Sequence, residues 1–457
     1  MTQHSKQTVL FESVFRKKTV VVFDAEAVSS DGGAVLLAAL DRGIGLTAAL
    51  AGALVDRRDP SKVIHAIDEQ LRQRIYGMAL GYEDCNDVAR IGHDPVVKAA
   101  CGHPAVADSS LASQPTLSRF ENRVTARELI ACQQALEDQV IKNARKRNRK
   151  TRLITIDLDP TIDLAHGEQQ YIAFSGFVGE WCYHPLLGFV SFDGDPEQYL
   201  FYARLRPGNT SAKRGAISLL RRVIPKLRKN FPKAKIRVRL DAGFAAGRMF
   251  EALEDLQVEY LCAMPKNPVL LQQHEAEAAI AFAEVLTKKS GETATVFTHL
   301  TYRARPWARA RRVVLKAEVV VHDGREPRLN PRFVVTNLRL AAEKVYDVYR
   351  QRGDIENRIK ELENGLSMGR TSCTRFLSNQ FRLLQVASAY VLFQEMRARI
   401  PDERLARAQV WRVRDIFLKV AARVVETVRR IVLHMPTACP YASTWRQLAL
   451  AVGAIPR

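Results

Sequence analysis

Hydrophobic and polar residues alternate with a period of two in the middle of the chain. The stretches RLITIDLDPT (152–161) and KIRVRLDAGF (235–244) both follow this pattern, which is typical of strands with two different faces. The other elements predicted nearby are strands at 171–179, 186–192, 199–209 and 259–265, and helices over about 211–230 and 246–256. This order predicts an α/β fold, in which a mixed sheet is covered by helices.

A period of 3.6 replaces the period of two further along the chain. An apolar stripe predicts an amphipathic helix that ends near a glycine. The residues of this stripe are Val345, Val348, Ile355, Ile359 and Leu362. The polar residues beside this stripe, at positions i, i+3 and i+7, are Tyr349, Arg352 and Glu356. They share one face of the helix, which is either a solvated flank or part of a site.

The remaining regions are mainly helical, apart from a strand-rich segment at 266–340 that interrupts the α/β order. Residues 1–125 read as helical after a short strand at 17–24, and a helix over about 124–147 runs into a basic segment. Residues beyond 367 are expected to be helical to the C-terminus, ending in a polar tail.

The net charge is the first feature that indicates a class of binding partner. The 69 Lys and Arg outnumber the 49 Asp and Glu, which gives a net charge of +20. Such an excess favours a polyanionic partner, because Lys and Arg displace counterions from a phosphate backbone. A basic surface without such a partner is the alternative.

The sequence shows no membrane span, no signal peptide and no paired cysteines, and these features indicate where the protein is located and whether it binds zinc through cysteine. The longest uncharged apolar run, residues 43–55, is shorter than the roughly 20 residues needed to cross a bilayer, and the N-terminus does not resemble a signal peptide. The seven cysteines are scattered without a CxxC pair, which indicates reduced thiols and argues against a zinc site. We expect a cytoplasmic protein with no membrane partner.

Two segments are candidates for DNA contact. Gln114, Thr116 and Arg119 project from one end of a short predicted helix, as residues that read base edges do; an ordinary surface helix is the alternative. The segment 142–152 has seven Lys or Arg in eleven positions, including Arg145, Lys146 and Arg147. It is either a solvated tether or a phosphate-contacting linker.

Carboxylates recur at the ends of predicted elements. Asp157 and Asp159 lie two apart near the end of one strand, Asp241 ends another, and Glu356 lies on the amphipathic helix. Carboxylates from neighbouring strand ends can converge on divalent metals such as Mg²⁺. Spacing alone is weak evidence for such a site, because acidic residues are common at strand ends.

Three blocks in this order carry a family resemblance. The chain resembles the DDE transposases of prokaryotic insertion sequences, in particular the branch marked by a Tyr-x2-Arg-x3-Glu-x6-Lys signature. The three blocks are IDLDPTIDLAHGEQQ, RVRLDAGF and YRQRGDIENRIKEL. The likeness covers roughly residues 110–395. The chain departs from the signature at one position, where Glu363 stands in place of the lysine, and Lys360 one turn earlier is a candidate substitute.

The resemblance implies a ribonuclease H-like catalytic core with an inserted β-rich domain and helical N- and C-terminal regions. It implies Asp159, Asp241 and Glu356 as the catalytic carboxylates around Mg²⁺ or Mn²⁺, as two ions. Asp159 fits the Asp-x-Thr context of the family better than Asp157, which is the alternative first carboxylate and a further candidate metal ligand. Arg352, Tyr349 and Lys360 are the implied DNA contacts beside them. The implied regions are 1–125, DNA-binding; 126–151, helix and basic linker; 152–265 and 341–400, catalytic core; 266–340, insertion; 401–457, helical C-terminal region.

The inserted segment contains TYRARPWARARR (301–312), in which five arginines surround two aromatic residues. Aromatic and basic side chains together suit a strand with an unstacked base. Similar transposases hold a flipped base with an aromatic residue of this domain, so Trp307, Arg303 and Arg305 are candidates; core packing is the alternative for Trp307. His166 is a weaker candidate for a site role.

These observations predict a cut-and-paste transposase that binds the terminal inverted repeats of its element and joins them to target DNA. The resemblance and the two-ended reaction imply a homodimer on double-stranded DNA, associated with the nucleoid. Two alternatives remain: a nuclease that cleaves without strand transfer, and a DNA-binding protein whose catalytic core is inactive.

Overall fold

The computed structural model describes residues 9–11, 16–165, 167–176 and 178–456. Its strands are β1 Val9–Phe11, β2 Thr19–Val21, β3 Val28–Ser29, β4 Leu153–Pro160, β5 Asp163–Leu164, β6 Ala173–Ser175, β7 Glu180–Tyr183, β8 Leu186–Phe192, β9 Gln198–Arg204, β10 Lys235–Leu240, β11 Glu259–Met264, β12 Ala294–Tyr302, β13 Arg311–His322, β14 Arg325–Leu329, β15 Arg332–Thr336, β16 Ala422–Thr427 and β17 Arg430–His434. Its α-helices are α1 Ala34–Ile44, α2 Leu46–Ala51, α3 Ile67–Leu80, α4 Cys85–Arg90, α5 Pro95–Cys101, α6 Gln114–Asn122, α7 Ala126–Arg147, α8 Ala216–Asn230, α9 Gly247–Asp255, α10 Pro268–Leu271, α11 His274–Ser290, α12 Ala342–Arg350, α13 Asp354–Leu366, α14 Phe376–Arg397, α15 Glu403–Ala406, α16 Val410–Val413 and α17 Ala442–Ala451.

A nine-stranded mixed sheet organises the fold, as the alternating pattern predicts. Its order is β12-β13-β15-β11-β10-β4-β8-β9, and β14 pairs with β13. The central strand β4 is parallel to β10 and antiparallel to β8, and β10 is parallel to β11. The C-terminal ends of β4 and β10 therefore lie side by side at one edge of the sheet.

The strands of segment 266–340 continue this sheet. β15 pairs antiparallel with β11, so the inserted strands extend the sheet from the edge of the α/β part. The segment also contains α11, a 17-residue helix that the strand-rich interpretation did not include. Its buried face carries three alanines, Ala276, Ala279 and Ala283, whose small side chains let the helix pack closely against β12 and β13.

Three buried glutamines cover β9, the outermost strand on the side of the sheet away from β12. The backbone N–H of Leu200 donates to Gln394 Oε1 at 2.9 Å, that of Ala203 to Gln133 Oε1 at 3.1 Å, and that of Leu205 to Gln380 Oε1 at 2.7 Å. These side chains come from α7 and α14 and take the place of a neighbouring strand. A buried strand edge needs such partners, because an unpaired backbone N–H is costly away from water.

Helix α14 joins the ends of the chain to the sheet. Every residue from Ser378 to Arg397 is buried, as expected for a helix covered on all sides. It contacts α3 and α6 of the N-terminal region as well as β9. One continuous hydrophobic cluster extends from Ala34 to Val452, so the N- and C-terminal regions share a core with the sheet.

The C-terminal region corrects one expectation. It is not helical throughout, because β16 and β17 form a hairpin, and β16 also pairs with β3 near the N-terminus. Ala422 and Val424 face inward and alternate with exposed residues, a period of two within a basic stretch. Within the described residues, no helix has both the length and the apolar character needed to cross a membrane.

The hydrogen bonds between the three glutamines and the backbone of residues 200–205 give a first prediction. Gln394→Met keeps the side-chain volume but leaves the N–H of Leu200 without its acceptor, so we expect the free energy of unfolding to fall by about 1–3 kcal/mol. Urea denaturation followed by circular dichroism measures this change. Gln272→Met, at an exposed position, is the matched control and should change stability by less than about 0.5 kcal/mol. Equal stability of the two variants would refute the role assigned to Gln394.

Candidate active site

Three carboxylates meet at the edge where β4 and β10 end. Asp159 is the last residue but one of β4, Asp241 follows β10 directly, and Glu356 lies in the first turn of α13. The strand pairing sets the two aspartates side by side, because Leu158 pairs with Leu240 and each aspartate is the next residue along its strand. Residues that are far apart in the sequence are thus brought to one place by the parallel pairing.

A short turn fixes the carboxylate of Asp241. Its Oδ1 accepts a hydrogen bond of 2.8 Å from the N–H of Gly243. A Cβ at position 243 would lie 2.8 Å from the Cβ of Ala212 and 3.1 Å from Oδ1 of Asp241. Glycine is therefore required for this close approach, which explains the glycine in the block RVRLDAGF.

The guanidinium of Arg352 lies among the three carboxylates. Its Nη2 is 2.6 Å from Oδ1 of Asp159 and 3.9 Å from Oδ2 of Asp241, and its Nη1 is 3.9 Å from Oε1 of Glu356. Arg352 belongs to a 3-10 turn, Gln351–Gly353, between α12 and α13. The predicted helix is therefore two helices with a tight turn at the residue that contacts the carboxylates.

The site has more negative than positive charge. Burial raises the pKa of Asp159 to about 7; Arg352 opposes this shift, and the nearby carboxylates of Asp241 and Glu356 add to it. One guanidinium cannot neutralise three carboxylates, so the arrangement favours an additional cation.

The residues fit a divalent metal by their chemistry. Carboxylate oxygens are the ligands that Mg²⁺ and Mn²⁺ prefer, and here they already surround a cationic group. Among the described residues, the oxygens of Asp159, Asp241 and Glu356 are not all within 4.8 Å of one another. Because Arg352 holds Oδ1 of Asp159 at 2.6 Å, it competes with a metal ion for this carboxylate.

Asp157 does not belong to this set, contrary to its expected role as a metal ligand. Its two oxygens accept hydrogen bonds of 2.8 Å from Nε and Nη2 of Arg239, and Oδ2 also accepts from Gln198 at 2.8 Å. Asp157 is fully buried. Both oxygens are engaged inside the sheet, so we assign Asp157 to the support of the site.

Arg239 is a supporting residue that the sequence analysis missed. Besides pairing with Asp157, it donates from Nη1 to the carbonyl of Val348 at 3.1 Å. That carbonyl is near the end of α12, so Arg239 connects the two central strands with the turn that bears Arg352. The available signal was its position two residues before Asp241 on the same side of β10.

Helix α13 is held from its opposite side. Glu361 accepts hydrogen bonds from Tyr390 at 2.6 Å and from Arg397 at 2.8 Å, both on the buried helix α14. Glu363, where the family signature has lysine, accepts a hydrogen bond of 3.2 Å from Thr161, two residues after Asp159. Lys360 is exposed on the same helix.

The aromatic candidates lie mostly in the core. Trp307 is only 4% exposed and packs edge-on against Phe250 and Tyr302. It is therefore a packing residue in this structure and is not available to stack on a base, which corrects its predicted role. Arg303 and Arg305 next to it are exposed. Tyr349 is partly buried against the apolar cluster that contains Tyr346.

The basic linker is divided between the surface and the core. Lys146 is exposed, and Arg145 stacks on Phe231. Arg147 pairs with the buried Glu395 and stacks on Tyr199. Arg147 therefore holds α7 against α14, and its role as a DNA contact stays a prediction.

The predicted recognition helix exists as α6. Its buried residues include Leu117 and Phe120, whereas Arg119 is exposed and donates to Thr116 at 3.3 Å. Gln114 is half-buried at its N-terminal end. A role of this helix in base reading stays a prediction. His166, the weaker candidate for a site role, lies outside the described residues.

Comparison with known proteins decides the family. Residues 11–455 match the family described as Transposase DDE domain group 1. The chain belongs to this DDE transposase family. The comparison with curated proteins gave no match. Among solved structures, the cryo-EM structure of the piggyBac transposase synaptic complex with hairpin DNA is similar over 80% of this chain and 74% of that chain, with 11% sequence identity and a TM-score of 0.39. This similarity is too low to assign site residues. The candidate site of this transposase is therefore assigned from contacts within its own chain.

The two aspartates of β4 give opposite stability predictions. Asp157→Asn leaves the buried Arg239 without its ion-pair partner, so we expect the free energy of unfolding to fall by about 3–5 kcal/mol. Asp159→Asn removes a carboxylate whose ionisation the site opposes, so we expect the metal-free protein to become more stable at pH 8, by up to about 4 kcal/mol. Urea denaturation in the presence of a chelator measures both. A loss of stability in both variants would contradict the division of roles.

The raised pKa of Asp159 also gives a pH dependence. Its pKa in the folded protein is about 7 against an ordinary value of 3.8, so the folded state holds this proton more tightly than the unfolded state. The stabilising effect of Asp159→Asn should therefore be absent below about pH 4, grow as the pH rises to about 7, and then level off. Denaturation curves of both proteins across this range test it; a difference independent of pH would refute the assignment.

Proposed function

We propose that this transposase catalyses metal-dependent strand cleavage and strand transfer on the ends of a prokaryotic insertion sequence. The observation that carries the proposal is the meeting of Asp159, Asp241 and Glu356 around Arg352 at one edge of the sheet. Family membership supports the same conclusion independently.

The order and direction of the strands support a ribonuclease H-like fold for the catalytic core. The part of the sheet formed by β9, β8, β4, β10 and β11 contains three antiparallel strands in chain order, followed by two strands parallel to the first. In this proposal, residues 152–265 and 341–400 form the catalytic core, and 266–340 is an insertion. The insertion then shares the sheet of the core.

Asp159, Asp241 and Glu356 would hold Mg²⁺ or Mn²⁺, as two ions. When bound, such ions supply Lewis acidity that stabilises the charge developing during phosphodiester displacement. The chain itself supplies the positioning. Arg239 and Gly243 orient the two strand ends, and Glu361 anchors the helix that bears Glu356.

Arg352 has two roles in this proposal. It partly neutralises the three carboxylates, and if Asp159 held a metal ion instead, the guanidinium of Arg352 would be free to bind a DNA phosphate. Arginine suits this contact because its planar donors match phosphate oxygens. Tyr349 and the exposed Lys360 on neighbouring turns are proposed to contact the same DNA strand.

The net charge of +20 supports DNA as the partner. We propose that the N-terminal region binds the terminal inverted repeats, with Gln114, Thr116 and Arg119 of α6 reading bases. Arg145 and Lys146 of the linker, and Arg303 and Arg305 of the insertion, are proposed phosphate contacts. Joining two ends to a target requires two active sites, so a homodimer on DNA is part of the proposal.

The test is cleavage of labelled DNA that carries the terminal repeat of the element, with Mg²⁺ or Mn²⁺. We expect metal-dependent nicking at the repeat end, and Glu356→Gln should reduce its rate at least about a hundredfold, the scale of losing an electrostatic contact to the transition state. Glu343→Gln, at an exposed position on the preceding helix α12, is the matched control and should retain the wild-type rate.

The other outcomes distinguish the alternatives. Cleavage of a pre-cut end with no joined product on a supercoiled target would identify a nuclease. Binding of the repeat with no cleavage by the wild type in either metal would identify a DNA-binding protein with an inactive core.

A further inference from the structure

A second group of metal-ligating side chains lies in the N-terminal region, away from the carboxylates. Among the described residues, His65, Glu69 and His103 offer one ligand atom each, all within 4.8 Å of one another. Oε1 of Glu69 is 2.6 Å from Nδ1 of His65 and 2.9 Å from Nε2 of His103. We propose that these three residues bind a Zn²⁺ ion.

The chemistry of this group suits zinc. Zn²⁺ takes imidazole nitrogens and carboxylate oxygens in tetrahedral sites, with bonds of about 2.0–2.2 Å. Ligand atoms in such a site are about 3.3 Å apart, so the two nitrogens need to withdraw from Glu69 by less than about 1 Å. The side chains of His65, Glu69 and His103 are 15%, 11% and 17% exposed, so water can reach the group to supply the fourth ligand of a tetrahedral site.

The backbone already holds the three ligands in position. The carbonyl of His65 accepts hydrogen bonds from Gln70 at 2.7 Å and Arg58 at 3.0 Å. Glu69 lies in the first turn of α3. His103 follows Gly102, the left-handed C-cap of α5, and its N–H donates to the carbonyl of Lys98 at 2.9 Å. Movement of side chains alone is therefore sufficient to bind the ion.

Binding would exchange one set of contacts for another. Nδ1 of His65 forms a hydrogen bond of 2.6 Å with Oε1 of Glu69, and Nε2 of His103 lies 2.9 Å from the same oxygen. Zinc binds the unprotonated nitrogen of each ring, so in the bound form the ring protons would be on Nε2 of His65 and Nδ1 of His103. The ion then connects the start of α3 to the end of α5, within the region proposed to bind the element ends.

The scattered cysteines argue only against a zinc site that is built from cysteine motifs. This site uses no cysteine, and its third ligand comes from the end of a different helix. The proposal depends on these three side chains and not on the transposase chemistry, so failure of either proposal leaves the other standing.

The experiment measures Zn²⁺ binding to the full chain carrying Glu356→Gln, with millimolar Mg²⁺ present, so that the carboxylate site does not contribute. We expect one Zn²⁺ per chain with a dissociation constant below about 10 μM. His65→Gln, Glu69→Gln and His103→Gln should each weaken binding at least tenfold. His93→Gln, at an exposed position in the same region, is the matched control and should bind as the parent does.

A second measurement keeps the test independent of folding in the variants. Co²⁺ added to the parent chain should give the intense visible absorption of a four-coordinate site, and Zn²⁺ should abolish it. Absence of a stoichiometric ion in the parent, or unchanged affinity in all three ligand variants, would overturn the proposal and leave Glu69 as a hydrogen-bond acceptor only.

Discussion

The buried ion pair between Asp157 and Arg239 is the interaction on which the active-site edge depends. A guanidinium in the centre of a sheet is stable only when its donors are satisfied, because desolvation of a charge is costly. Asp157 satisfies two donors, and the carbonyl of Val348 satisfies a third. One pair therefore fixes the register of β4 against β10 and the position of the turn that presents Arg352.

Two buried groups of charged residues are paired, whereas the carboxylates at the ends of β4 and β10 outnumber their positive partners. Arg397 on α14 pairs with both Glu197 and Glu361, and Arg74 pairs with Glu121 in the N-terminal region. At the end of β4 and β10, by contrast, three carboxylates face a single guanidinium. Such an imbalance lowers the stability of the fold and favours the binding of cations.

Helix α14 and its glutamines explain why the terminal regions are part of one body. The N-terminal helices, the sheet edge at β9 and α13 all pack against this one buried helix. Glu361 extends this support to the helix of Glu356. Helix α6 is thereby held in a fixed relation to the carboxylates.

The sequence by itself predicted the strands of the α/β part and the apolar stripe of α12 and α13, and it supplied the candidate residues Asp159, Asp241 and Glu356. The strands and the stripe follow from local periodicity, whereas the three carboxylates follow from the family resemblance that three short blocks of the chain carry. The tertiary structure alone decided how polar residues within those blocks are used. Asp157 and Asp159 share one face of one strand, yet one is neutralised by Arg239 and the other faces a surplus of negative charge. Trp307 is buried against Phe250, and Arg147 pairs with Glu395, and both of these partners are distant in the chain. Burial and ion pairing depend on contacts between distant segments, and the pattern along the chain does not record those contacts.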